Sequence, residues 1–256
     1  MKKSLILLIA SIFLFTNLGF SNAVSFKIGY FFPKAKSDLW QIEFENMNFT
    51  LSNYQNSTFG FSYEYFLTRE ISIVFGVDGY NRRRVGFYKD YVGISFDDGD
   101  YAFPNKYRGD FDISHVYNVS ITPFQVSLKL VPTGRRGGLI PFVGGGVGLY
   151  LWTVRLQGDT ILFDEFDYFE DVETGETVIG YVVYPIDARE ENRFAFGYHA
   201  YGGLMFPVAN RIAIEAEFKY NIVKGKFRGA PDGAFQDFEP FDLSGFQISI
   251  GINYWF

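Results

Sequence analysis

The chain has 256 residues, of which 48% are apolar, 20% aromatic and 20% charged, and its formal net charge is −6. Intrinsic disorder is excluded because the chain is too apolar and too aromatic for its charge. The lack of cysteine excludes a disulfide framework and any cysteine metal site or nucleophile, and an acidic chain without a basic block is a poor binder of nucleic acid.

Residues 1–23 have the organisation of a secretory signal peptide. A short basic start precedes an apolar run from Leu5 to Phe15, and Ser21-Asn22-Ala23 places small residues at the cleavage-site positions. We expect cleavage before Val24, which leaves 24–256 as the mature domain. The apolar run is short for an uncleaved anchor helix, and no later stretch approaches the roughly 20 apolar residues of a spanning helix.

Eight later segments alternate apolar residues with small or polar ones, which is the period of a β-strand. They are long for a soluble sheet, whose strands have about 5–6 residues, and long enough to cross a bilayer at a tilt. Their polar faces are rich in glycine, as in Gly144, Gly146 and Gly148, which suits a crowded barrel interior. The apolar faces are therefore expected to meet lipid. The predicted strands are roughly 25–33, 57–67, 70–80, 115–131, 140–154, 194–207, 211–223 and 244–256.

One of these segments changes its apolar phase at Thr122-Pro123. Val119 and Ile121 belong to one phase, and Phe124 and Val126 belong to the other. A slip of one residue at a proline predicts a β-bulge at this point.

The connections between the predicted strands are alternately short and long. The short ones are 67–70, 133–139 and 208–210, and the long ones are 34–56, 81–114, 155–193 and 224–243. In an antiparallel barrel, this alternation places all short turns at one rim, as in outer-membrane barrels. The sequence therefore predicts an all-β fold: an eight-stranded antiparallel up-and-down transmembrane β-barrel with short periplasmic turns, long extracellular loops and both termini in the periplasm. A soluble periplasmic barrel is the alternative.

The last predicted strand has the most specific pattern in the sequence. Apolar or aromatic residues occupy alternate positions to its end: Ile248, Ile250, Ile252, Tyr254 and Phe256. With this pattern, the chain resembles the small outer-membrane β-barrel superfamily of the OmpA transmembrane domain, OmpX and OmpW, over nearly all of 24–256. The resemblance implies that this strand is recognised by the barrel-assembly machinery. It also implies the outer membrane of a diderm bacterium as the location, with lipids and lipopolysaccharide as partners.

Strand phase also predicts which charged side chains face the lumen. The seven residues with the inward phase are Lys27, Glu64, Asp78, Lys129, Glu215, Glu217 and Lys219. The interior of an eight-stranded barrel is just wide enough for side chains, and unpaired charge there is costly. We therefore expect an ion-pair network that plugs the lumen, with Lys27 and Glu64 as the first pair. The alternative is a narrow polar pore lined by the same residues.

The sequence offers little for catalysis, and we predict neither an enzyme nor a cofactor. Some barrels of this size modify lipid A, and these need a histidine with a serine and an acid. The two histidines are His115, next to Ser114, and His199, which has the inward phase. No serine neighbours His199 in the sequence, although triads assemble from distant residues. The expectation for His199 is an interior histidine held by hydrogen bonds.

Two charged segments lie in the predicted loops. Segment 156–193 has eleven acidic residues against two arginines, and such oxygen ligands bind Ca²⁺ or Mg²⁺. Its spacing does not match an EF-hand loop, so we predict a solvated loop with a hairpin turn at 173–176 and no metal site. Arg82, Arg83 and Arg84 follow the third predicted strand, at a height where guanidinium groups meet lipopolysaccharide phosphates. We favour an ordinary hydrated charge run for the arginines, with lipopolysaccharide contact as the alternative.

Three functions are consistent with this barrel. The first is a structural or surface-interaction role with a plugged lumen, for which we favour a monomer. The second, by resemblance to OmpW, is a narrow porin-like channel for small or hydrophobic solutes, and the third is a lipid A-modifying enzyme. The hint for the channel is an aromatic set: Trp40, Phe87, Tyr88, Tyr150 and Trp152. We favour reading this set as membrane-interface anchors.

Overall fold

The computed structural model describes residues 22–135, 138–228, 235 and 238–256. The predicted signal peptide lies outside these residues except for Asn22 and Ala23, which begin the first strand. No helix in the described part of the chain is long and apolar enough to cross a bilayer. The elements in chain order are β1 (Asn22–Pro33), α1 (Asp38–Asn46), a 3₁₀ helix (Leu51–Tyr54), β2 (Asn56–Phe66), β3 (Ile71–Phe87), β4 (Tyr91–Phe96), β5 (Gly99–Pro104), β6 (Ser114–Leu130), β7 (Ile140–Glu170), β8 (Thr177–Ala209), β9 (Ile212–Gly225), β10 (Phe241–Asp242) and β11 (Gly245–Trp255).

Eight of these strands close into a ring. The order is β1–β2–β3–β6–β7–β8–β9–β11 and back to β1, and every neighbouring pair is antiparallel. Ring neighbours follow one another along the chain, with β4, β5 and β10 inserted in the connections. The ring confirms the predicted up-and-down barrel of eight strands. Because a closed ring has no strand edge, its backbone groups are satisfied within a bilayer.

The connections differ in length between the two ends of the barrel. The turn end carries both ends of the described chain and the connections 67–70, 131–139 and 210–211. The loop end carries the connections 34–55, 88–113, 171–176 and 226–244. Three of the four loop-end connections are long, as predicted, whereas the predicted long loop 155–193 is mostly strand and its remaining connection, 171–176, is shorter than 131–139 at the turn end.

Three ring strands continue well beyond their predicted ends on the loop side. β3 extends to Phe87, and β7 and β8 form a hairpin whose tip is 171–176. The outer part of β8 pairs with β5, which pairs with β4. Together, β4, β5 and the outer parts of β8 and β7 make a four-stranded sheet, which we call the arm. Much of the predicted loops 81–114 and 155–193 is therefore strand, because ladder pairing satisfies the backbone groups there.

The exterior of the barrel has an apolar band next to the turn end. On β6, the outward side chains Phe124, Val126 and Leu128 are 45–56% exposed. The alternate residues of the terminal pattern are also exposed: Ile248, Ile250, Ile252, Tyr254 and Phe256. A continuous exposed apolar surface around a closed ring is the exterior of a barrel that spans a bilayer.

The band ends on β6 at Thr122-Pro123, where the apolar side of the strand changes. Nearer the loop end, Asn118 and Ser120 have the outward phase, whereas Val119 and Ile121 are buried inside. β6 pairs with β7 in constant register through this point, so the predicted bulge is wrong. The apolar residues of β6 change from the outward to the inward side because the barrel interior is polar at the height of the band and apolar nearer the loop end.

An aromatic core, which we call the mouth core, fills the barrel at the loop end. The Trp40 indole of α1 stacks on Phe241 at a centroid distance of 5.3 Å and meets Tyr54 and Tyr117 edge-on. Trp40 Nε1 donates to the main-chain oxygen of Asp242 at 3.0 Å. The largest fully buried members are Trp40, Trp152, Tyr54, Tyr117, Tyr150, Phe235 and Phe241.

Candidate functional site

The seven charged residues with the inward phase all lie inside the barrel, and none is more than 9% exposed. They come from β1, β2, β3, β6 and β9. Other ring strands present glycine to the same part of the lumen, such as Gly144 and Gly146 on β7 and Gly251 on β11. Because glycine has no side chain, these positions leave space in which the long lysine and glutamate side chains meet.

Lys27 contacts two carboxylates across one of these glycines. Its Nζ lies 2.7 Å from Glu215 Oε1 and 2.6 Å from Glu217 Oε2. Gly251 of β11 lies between Lys27 of β1 and Glu215 of β9 in the ladder, and a Cβ there would lie 2.8 Å from Lys27 Cγ. The predicted pair of Lys27 with Glu64 is not formed, because Lys27 lies opposite Gly60, four residues along β2 from Glu64.

The other two lysines extend the contacts in both directions. Lys129 Nζ lies 3.1 Å from Glu64 Oε2 and 3.2 Å from Glu215 Oε2. Lys219 Nζ lies 2.7 Å from Asp78 Oδ2 and 3.7 Å from Glu217 Oε1. Each of the three lysines therefore joins two carboxylates.

Arg135, in the connection between β6 and β7, completes the series from the turn end. Its Nη2 pairs with Glu64 Oε1, and its guanidinium covers the ring of Phe66 at 3.9 Å. The sequence prediction missed Arg135 because a turn residue has no strand phase. The signal was the imbalance of three positive against four negative charges, which a fourth cation removes. We call the series the lumen chain: Arg135–Glu64–Lys129–Glu215–Lys27–Glu217–Lys219–Asp78.

A hydrogen-bonded layer separates the lumen chain from the mouth core. Gln125 Nε2 donates to the Tyr150 hydroxyl and to Asn221 Oδ1, each at 2.9 Å, and the Tyr150 hydroxyl donates to Asn221 Oδ1 at 3.0 Å. The cavity beside Tyr150 and Asn221 of this layer and the one beside Lys27 and Lys219 each have a volume of about 20 Å³. Each has room for about one water molecule, so the lumen is packed at both levels.

The aromatic set that the sequence linked to a channel or to membrane anchors is divided in the structure. Trp40, Tyr150 and Trp152 are each 1% exposed and belong to the mouth core. Tyr88 is half-buried beside His115, and Phe87 is exposed. The interpretation as interface anchors is wrong for Trp40, Tyr150 and Trp152, because their side chains lie inside the ring, away from lipid.

His199 meets a serine that is distant in the sequence. Ser127 Oγ of β6 lies 2.6 Å from His199 Nε2 of β8, and both residues are buried. Among the described residues, His199 Nδ1 has no hydrogen-bond partner, so no carboxylate orients the ring as in a hydrolase triad. The geometry supports a structural hydrogen bond within the lumen.

His115 links α1 to the barrel wall. Its Nε2 lies 2.7 Å from Glu43 Oε2, and its Nδ1 lies 3.2 Å from the main-chain oxygen of Asp159. Both ring nitrogens face acceptors, an arrangement that the imidazolium satisfies. Burial opposes the charge, but the hydrogen bond and the charge of Glu43 outweigh it and raise the pKa of His115 above its usual 6.5. His115 lies above the apolar band, where the outward side of β6 is polar.

We expect the contact between His115 and Glu43 to stabilise the mouth core at acidic pH and to weaken as the pH rises. Because the folded-state pKa is raised, the contribution is complete below the unfolded value of about 6.5 and is lost as the pH passes the folded value. His115→Gln should lower the free energy of unfolding by about 1.5–3 kcal/mol at pH 6 and by clearly less at pH 9. Denaturant titrations at both pH values measure this gap.

Glu43→Gln is the matched variant, because it removes the same charge pair from the other side and should lose the same pH dependence. A gap between wild type and His115→Gln that stays constant from pH 6 to pH 9 would contradict the charged pair.

The three consecutive arginines point to different sides of β3. Arg82 Nε donates to the main-chain oxygen of Asn53 at 2.6 Å, and Arg84 Nε lies 3.4 Å from the same oxygen. Arg83 has the opposite, outward phase. The guanidinium groups therefore do not form a single row.

In the arm, where much of the acidic segment 156–193 lies, no three His, Asp or Glu side chains of the described residues are close enough to hold a metal ion.

No protein-family model matches the chain, and no curated protein matches it significantly. A similar solved structure is the outer membrane protein OprG from Pseudomonas aeruginosa, with 9% identity over 93% of this chain and 96% of that chain, at a TM-score of 0.49. Neisserial surface protein A has 12% identity over 93% of this chain and 96% of that chain, at a TM-score of 0.44. The outer membrane protease OmpT from Escherichia coli has 10% identity over 94% of this chain and 98% of that chain, at a TM-score of 0.37. Likeness at these identities concerns the fold alone, and the barrel assignment rests on the strand pairing of this chain.

Proposed function

We propose that the protein is an integral outer-membrane barrel with a closed lumen, which has a structural or surface-interaction role. Its closed ring and apolar band support the membrane location. The short connections at one end and the long ones at the other support a periplasmic turn end, with both termini, and an extracellular loop end.

The lumen chain is the observation that carries the closed lumen. Four cations and four carboxylates alternate in contact with one another, from Arg135 at the turn end to Asp78 beneath the hydrogen-bonded layer. A conducting path would need several of these contacts to break together. Each broken contact leaves a poorly hydrated charge without its partner, which is strongly unfavourable.

The arm is the element that supports a surface-interaction role. It presents exposed aromatic side chains beside its many carboxylates, including Tyr168 at 69% and Tyr184 at 57% exposure. Aromatic residues are enriched in protein interfaces, and the pairing of β7 with β8 holds them on a sheet. We propose that the arm is the contact surface of the protein outside the cell.

Planar-bilayer conductance tests the closed lumen. We expect the refolded wild-type protein to show no sustained channel. The double variant Glu64→Ala, Glu215→Ala removes both carboxylates that hold Lys129 and should give measurable conductance. Glu173→Ala, Glu176→Ala at the tip of the arm removes the same charge outside the lumen and is the control. High conductance of the wild type would contradict the closed lumen and favour the narrow channel.

Migration on a denaturing gel tests the membrane barrel itself. A folded membrane barrel should change its mobility on heating and should fractionate with the outer membrane. Unchanged mobility, or recovery in the soluble periplasmic fraction, would overturn the proposal.

A further inference from the structure

The loop-end half of β3 has an unusual neighbour on one side. β2 pairs with β3 only as far as Phe59 and Gly79, and the segment 47–56 packs along β3 beyond that point. The main-chain nitrogen of Asn48 donates to the main-chain oxygen of Phe87 at 2.9 Å. Between this segment and β3 lies a pocket of about 200 Å³, lined by Asn48, Phe49, Asn53, Arg84 and Val85.

Hydrogen bonds fix the direction of the two asparagine amides of this pocket. Asn48 Oδ1 accepts from the main-chain nitrogen of Phe87 at 3.0 Å, and Asn53 Oδ1 accepts from that of Thr50 at 2.8 Å. A main-chain nitrogen only donates, so each side chain must present its oxygen there and keep its NH₂ group for another partner. Neither NH₂ group donates to an acceptor among the described residues, so both are available to a ligand.

Arg84 adds a positive charge to these donors. Its one hydrogen bond to the described protein is the 3.4 Å contact with Asn53, so its terminal nitrogens are available. Within the described residues, no carboxylate forms an ion pair with Arg82, Arg83 or Arg84. The chain as a whole has a net charge of −6, so this cluster is a local reversal of charge that favours an anion.

We propose that this pocket binds a phosphate group, carried either by lipopolysaccharide beside the barrel or by a soluble phosphate ester. Phosphate oxygens accept hydrogen bonds from the guanidinium fork of Arg84 and from the NH₂ groups of Asn48 and Asn53. The position also fits, because Val85 on the pocket wall is 58% exposed and lies beyond the apolar band. The lipid-borne source rests on the orientation proposed above, whereas a soluble ester needs only the pocket.

Calorimetric titration of the full-length protein in detergent micelles tests the pocket, with inorganic phosphate and glucose 1-phosphate as probes. Arg84→Gln should weaken phosphate binding by about tenfold, the effect expected for losing a charged hydrogen-bond donor. Arg83→Gln removes the same charge from the neighbouring outward position and should bind as the wild type does. Arg84→Lys keeps the charge without the fork and should fall between them.

A second titration uses phospholipid vesicles with native or dephosphorylated lipopolysaccharide. Preference for the native form, lost in Arg84→Gln, assigns the pocket to the lipid, and binding of the soluble probes alone assigns it to a soluble ester. Equal losses in Arg83→Gln and Arg84→Gln, or phosphate binding no tighter than chloride binding, would overturn the pocket. Heat-modifiable migration shows that each variant folds, so a failed pocket is distinguishable from a failed barrel.

Discussion

Replacing Glu215 with alanine is expected to lower the free energy of unfolding by about 3–5 kcal/mol, because removing one member of a buried ion pair leaves buried charge uncompensated. Glu215 is 1% exposed and holds both Lys27 and Lys129. Each lysine keeps one other carboxylate, but the alternation of charge along the lumen chain is interrupted. Urea titration followed by the heat-modifiable band measures the change.

Two further variants separate this effect from a general loss of charge. Glu176→Ala changes an exposed residue at the arm tip and should leave the free energy of unfolding unchanged. Glu215→Ala leaves four cations against three carboxylates, so adding Lys27→Met removes the surplus cation and should recover part of the loss. If the double variant is no more stable than Glu215→Ala alone, the paired lumen chain is not what holds the barrel closed.

Replacing Trp40 with alanine is expected to detach α1 from the mouth core. Truncating a buried tryptophan costs about 3–5 kcal/mol, which makes opening about a hundredfold more frequent or greater. A protease added outside intact cells should therefore cleave segment 34–55 at least about a hundredfold faster than in the wild type. This measurement also reports whether the loop end faces outward.

Ile42→Ala is the control for Trp40→Ala, because Ile42 lies on the same helix and is 42% exposed. It should leave the cleavage rate close to that of the wild type. Equal rates for wild type and Trp40→Ala would show that α1 is not held by the mouth core.

The strands and the lumen side of their charges were predictable because alternation is a local property. Lys27, Glu64 and Glu215 each have a phase that any reader of the sequence can assign. Their pairing was not predictable, because it depends on the stagger of neighbouring strands. Lys27 lies opposite Gly251 on one side and Gly60 on the other, and these registers direct it to Glu215 and away from Glu64.

The loop end was the part that the sequence predicted least well. Trp40 and Trp152 were assigned to the membrane interface because aromatic residues near barrel rims usually meet lipid headgroups. Here the wall of the barrel rises above the apolar band, so inward residues at that height meet α1 and Phe241 instead of water. The change of phase at Thr122-Pro123 records this reversal, although the sequence alone favoured a bulge.

The sequence by itself determined the all-β class, the number of ring strands, the two unlike rims and the inward set of charges, because period and connection length are written along the chain. Only the tertiary structure decided the alternating order of the lumen chain, the role of Arg135, the mouth core and the pocket beside Arg84. Each of these depends on groups from distant segments, whose contacts are set by strand register and loop packing.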